Sequence, residues 1–187
     1  MRSFVAIELP DELKLKLDKL MAQLESERQP WVKWVRASGI HLTLKFLGDI
    51  ITGQTGEITR AIEEATQGFS PFQLDVKALG VFPNWQRAQV AWVGIGGELI
   101  KLSQLQQRLD SNLANCGFAP ESRPFSPHLT IARIRNHATL SEWQKFGKLI
   151  ADTKFEAGSF KVNAVSLMRS QLTKERAIYR PISSIRL

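Results

Sequence analysis

Two short segments of this chain, His41-Leu42-Thr43-Leu44 and His128-Leu129-Thr130-Ile131, share one pattern and lie 87 positions apart. Each sets an imidazole and a hydroxyl at alternate positions with branched apolar residues between them. That is the period of a strand: residues two apart share a face, so His and Thr point one way while the apolar pair holds the strand on a core. A turn containing Gly39 or Pro127 precedes each copy. The duplication points to a fold in which two strands distant in sequence play the same part. Side by side, they gather two imidazoles and two hydroxyls around one pocket.

All three histidines of the chain fit the pattern His, apolar, Thr, apolar, since His137-Ala138-Thr139-Leu140 does so as well. Context separates the third copy. Thr139-Leu140-Ser141-Glu142 is a helix capping box, with Thr139 accepting from backbone amides and Glu142 reaching back, which leaves His137 in a surface turn. Either remaining histidine alone reads as a half-buried sheet residue; as a matched pair they read as chemistry. Imidazole titrates near neutral pH, so one ring serves as a base while the other serves as an acid. Threonine hydroxyls donate to the nonbridging oxygens of a phosphate as charge builds on them. Such a set suits phosphodiester cleavage and calls for no bound metal.

Around the two motifs, strand and helix patterns alternate. Phe4 to Leu9 reads as a strand and is followed by a helix with Leu13, Leu17, Leu20 and Leu24 on one face. Strands over Trp31 to Val35 and His41 to Leu47 precede a helix near Glu57 to Gln67, stopped by Gly68. Phe72 to Ala78 alternates as a half-buried strand, and Ala88 to Ile95 is another. Leu102, Leu105, Leu109 and Leu113 line a third helix, with Gly117 where a left-handed cap belongs. A proline-rich loop leads to the strand His128 to Ile134. A fourth helix carries Leu140, Trp143, Phe146 and Leu149, and strands near Phe160 to Met168 and Ala177 to Ile185 close the chain. With no low-complexity linker between two similar halves, residues 1–187 are expected to form one two-lobed α+β domain.

The formal net charge of +7 and a pI near 9.8 favour a polyanionic partner. Cys116 is the one cysteine, so no intrachain disulfide forms and a thiolate metal cluster is not expected. No apolar run approaches the roughly 20 residues of a membrane span, and the N-terminus lacks a secretory pattern, so a cytoplasmic protein is expected. Gly94-Ile95-Gly96-Gly97 falls short of a dinucleotide fingerprint. No phosphate-binding loop, nucleophile elbow or zinc-type histidine spacing is present.

At these residues the chain resembles the two-histidine (2H) phosphoesterase superfamily, in particular the LigT-like RNA 2′,3′-cyclic phosphodiesterases, also named 2′-5′ RNA ligases. Phe4-Val5-Ala6-Ile7, Trp34-Val35-Arg36, His41 to Gly48 and Pro127 to Arg133 carry the resemblance. It implies a bilobal, pseudo-twofold fold, with two antiparallel-rich sheets facing a central cleft and helices packed outside. It implies hydrolysis of a terminal 2′,3′-cyclic phosphate to a 2′-phosphomonoester without a cofactor. His41 would then donate a proton to the leaving 3′ oxygen, His128 would activate water, and Thr43 and Thr130 would hold the phosphate. Arg133 matches the arginine that follows the family motif, although strict alternation from His128 puts it on the opposite face unless a bulge or twist intervenes.

Phe46, Trp34, Phe82 and Tyr179 are candidates to stack on a terminal base. Alternation sets Phe46 on the apolar face of its strand and Lys45 beside His41 and Thr43. The expected partners are RNA ending in a cyclic phosphate or small cyclic nucleotides, with the protein acting as a monomer away from membranes. Joining of RNA ends through a 2′-5′ linkage, the reverse reaction, stays open as an alternative. So does a noncatalytic module that binds RNA ends.

Overall fold

The computed structural model describes residues 1–25, 29–173 and 177–187. Nine strands and four helices follow one another along these residues: β1 (Arg2–Glu8), α1 (Asp11–Glu25), β2 (Val32–Trp34), β3 (His41–Asp49), α2 (Thr55–Thr66), β4 (Phe72–Phe82), β5 (Val90–Gly97), α3 (Leu99–Asn115), β6 (His128–Ile134), α4 (Leu140–Asp152), β7 (Glu156–Val162), β8 (Ala164–Leu172) and β9 (Ala177–Arg186). The strands form two antiparallel sheets, one ordered β3-β1-β8-β9 and the other β2-β6-β5-β4-β7. The architecture is the expected α+β pair of sheets, with one histidine strand in each.

The helices form where apolar residues recur at helical spacing. Leu102, Leu105, Leu109 and Leu113 of α3 are all fully buried, each contributing about 1.5–3 kcal/mol on removal from water. Asp11 and Glu12 place negative charge in the first turn of α1, where the helix dipole favours it. The capping box of Thr139 and Glu142 forms at the start of α4, and His137 is exposed in the turn before it. One apolar cluster runs through both sheets, from Val5 and Leu42 in the first to Val93, Leu129 and Ile131 in the second, and takes in the buried faces of α1 to α4. On its other face, the first sheet carries a small separate cluster of Phe4, Ala6 and Met168, with Tyr179 packed against it.

Three features depart from the sequence reading. The stretch Phe160 to Met168 is two strands in different sheets: β7 ends at Val162, β8 begins at Ala164, and Asn163 alone joins them. Similarly, β2 pairs with β6 in the second sheet, whereas β3, a few residues later, belongs to the first. Neither sheet is therefore built from one continuous half of the chain. β4 also runs past Ala78, which adopts a positive φ of 64°, and carries Phe82 up to the histidine face.

Candidate active site

The two motif strands have the same burial profile through their first seven residues, and the same irregularity. In β3, Thr43 pairs with Ala6 and Lys45 with Val5, so Leu44 is an extra residue in the ladder. In β6, Thr130 pairs with Trp92 and Ala132 with Ala91, so Ile131 is extra. Each is a β-bulge, which reverses the alternation beyond it. Arg133 thereby joins the face that carries His128 and Thr130, and it is exposed there.

The same bulge corrects the expectation for Lys45 and Phe46. Lys45 turns inward, only 2% exposed, and forms a buried ion pair with Asp110 of α3 while donating to the Ala119 carbonyl at 2.8 Å. Phe46 takes the position on the histidine face, 64% exposed, at the place in β3 that Arg133 occupies in β6. The extra backbone residue, rather than any preference of the side chains, decides both outcomes.

The strands β3 and β6 approach each other across the two sheets. Each histidine is anchored alike: Nδ1 of His41 lies 2.8 Å from the Gly39 carbonyl, and Nδ1 of His128 lies 2.7 Å from the Ser126 carbonyl. A carbonyl oxygen only accepts, so in each neutral ring the proton resides on Nδ1 and Nε2 keeps its lone pair. Either ring can then take a proton at Nε2 or, once charged, give one. The hydroxyls of Thr43 and Thr130 make no hydrogen bond within the protein among the described residues, and so are open to a ligand.

The surroundings of the two rings differ. Phe4 stacks on His41 with centroids 4.5 Å apart and planes inclined by 24°, and Tyr179 meets the same ring edge-on at 5.0 Å. Burial pushes the His41 imidazole down from 6.5 to about 4; the Gly39 carbonyl and the Glu8 carboxylate raise it, and Lys14 lowers it. Glu8 is the direct cross-strand partner of His41 and accepts from the Ser166 hydroxyl at 2.8 Å. His128 stands more open, with Phe82 edge-on at 5.0 Å and Trp92 at 6.3 Å.

Of the four aromatic candidates, Phe82 and Tyr179 touch the histidines and Phe46 shares the face of His41. Trp34 instead packs against Phe146 of α4. Sequence reasoning missed Phe4, Glu8 and Trp92, whose places come from strand pairing. It also missed the role of positions 39 and 126, although both stand two residues before a histidine. Among the described residues, no three His, Cys, Asp or Glu side chains converge to hold a metal ion, and no helix is long and apolar enough to cross a membrane.

The family model described as the 2′-5′ RNA ligase superfamily matches residues 9–174. An RNA 2′,3′-cyclic phosphodiesterase of Methanothermobacter thermautotrophicus is 34% identical over 187 residues, covering all of this chain and 98% of that protein. One from Aquifex aeolicus is 34% identical over 158 residues, covering 83% of this chain and 81% of its own length. Among solved structures, Escherichia coli LigT complexed with 3′-AMP superposes with a TM-score of 0.78 at 26% identity, covering 100% of this chain and 97% of that one. The Thermus thermophilus protein TT0787 superposes at 0.81 with 23% identity and speaks for the fold alone.

Proposed function

The chain belongs to the 2′-5′ RNA ligase superfamily, and from that premise we propose that it hydrolyses a terminal 2′,3′-cyclic phosphate on RNA to a 2′-phosphomonoester. The observation that carries this reading is the matched pair of imidazoles on adjoining strands, each fixed through Nδ1 to a carbonyl and each beside an uncommitted threonine hydroxyl. Names borne by relatives supply the substrate class; the residues supply the chemistry.

In the proposed reaction, Nε2 of neutral His128 takes a proton from water as its oxygen forms a bond to phosphorus. The bond from phosphorus to the 3′ oxygen breaks, and Nε2–H of protonated His41 gives its proton to that oxygen. One free 3′ hydroxyl and one 2′-phosphate result, and proton exchange with solvent resets both rings. The Thr43 and Thr130 hydroxyls donate to the nonbridging oxygens, and Arg133 offsets their charge. With burial holding its pKa at about 4, His41 is neutral at pH 7 before substrate binds, so the donor role requires the anionic substrate to raise its pKa on binding. A phosphate placed beside the ring does this by favouring the charged form.

The test is an RNA oligonucleotide ending in a 2′,3′-cyclic phosphate, incubated with excess chelator. Hydrolysis to the 2′-phosphate is expected to persist, and to fall by about 10²–10⁴-fold in His41→Ala and in His128→Ala. Loss of activity on chelation, or full activity in both variants, overturns the mechanism.

A further inference from the structure

Beyond the histidines, the exposed face of the second sheet carries a pair of cations whose arrangement is unfavourable in isolation. Lys33 of β2 and Arg133 of β6 are direct cross-strand partners and therefore share a face, and both are exposed. Like charges held opposite each other on adjacent strands repel. No compensating acid is at hand: among the described residues, neither side chain lies within ion-pair distance of a carboxylate, and each of the ion pairs present involves other groups. An external anion would turn the repulsion into joint attraction.

The row containing this pair is continuous with the candidate active site. Arg133 pairs on its other side with Val90, and Val90 pairs with Phe82, whose ring meets His128 edge-on. The row lies about four strand steps from His128, roughly 13 Å at about 3.3 Å per residue. Only six backbone bonds link successive phosphorus atoms, so that separation suits a phosphate about two nucleotides along an extended nucleic-acid backbone. The long side chain of Arg133 can span part of that distance. Lys33 lies one strand further out, on the sheet edge, where among the described residues no further strand covers it.

We propose that Lys33 forms a subsite for an internucleotide phosphate upstream of the reacting end, with Arg133 between that phosphate and the reacting one, so that the protein grips an RNA strand rather than a lone nucleotide. The inference rests on the phosphodiesterase reading above and names which form of that substrate is favoured. The phosphate contact is electrostatic and independent of sequence, so it weakens with salt.

The experiment compares binding of two ligands: a single-stranded RNA oligonucleotide ending in a 2′-phosphate, and the corresponding mononucleotide 2′-phosphate. Kd is measured for both across a salt series, with the parent protein and with Lys33→Ala. The parent is expected to bind the oligonucleotide at least tenfold more tightly than the mononucleotide. In Lys33→Ala that ratio is expected to fall several-fold, and the slope of log Kd against log salt for the oligonucleotide to drop by about 0.7. Equal weakening of both ligands, or an unchanged ratio, overturns the proposal. If the protein binds both ligands as expected but cleaves no cyclic phosphate, the phosphodiesterase reading fails while the subsite stands.

Discussion

Enclosure of the His41 ring between Phe4 and Tyr179 has a consequence for stability as well as for reactivity. A histidine held at about 4 when folded and near 6.5 when unfolded binds fewer protons in the native state between those values. The folded protein is therefore expected to lose stability as pH falls from about 6.5 toward 4, and denaturant titrations across that range check it. His41→Phe should flatten the loss. Ring resonances of His41 should titrate near 4 in the free protein and move upward when inorganic phosphate is added; an unmoved midpoint argues against phosphate contact. At the other ring, a Cβ on Gly80 would stand 2.2 Å from the Trp92 side chain. Gly80→Ala must displace Trp92, which leans on Phe82 and His128, and kcat/KM should fall on the order of 10–100-fold. The histidines and threonines were legible in the sequence because they repeat. Phe4 and Trp92 were not, because only strand pairing brings them to the rings.

At the scale of elements, the paired bulges decide which side chains reach the site. A trace of them is present in the sequence: apolar residues fall at 129 and 131 and then at 132 and 134, so that the adjacent pair Ile131-Ala132 breaks the step of two of a regular strand. In the first copy Phe46 masks the same break, which is why simple alternation misplaced both Lys45 and Phe46. The inward turn of Lys45 ties β3 to α3, and Asp110 in turn accepts from the Glu121 amide at 3.2 Å, in the loop that leads to Ser126 and His128. Asp110→Ala leaves a buried ammonium without its counter-charge, and unfolding measurements should show a loss of about 3–5 kcal/mol. Lys45→Met, which keeps the stem and removes the charge, should cost less, since Asp110 retains its backbone donor and some solvent. Equal losses for the two changes would contradict this account of the pair.

For the molecule as a whole, the sequence disclosed two similar halves but not the exchange of strands between them. Hydrophobic periodicity records which residues are buried and not which sheet they join, so a break as brief as Asn163 read as one continuous strand. The shared core predicts a single cooperative unfolding transition, with tryptophan fluorescence and far-UV circular dichroism superimposing; two separate midpoints would show lobes that fold independently. The corner at Asn163 and the short passage from β2 to β3 also stitch the sheets together at two places. A box fastened on two sides does not gape. Entry and exit of a strand end then fall to the rim, where Phe46 stands exposed.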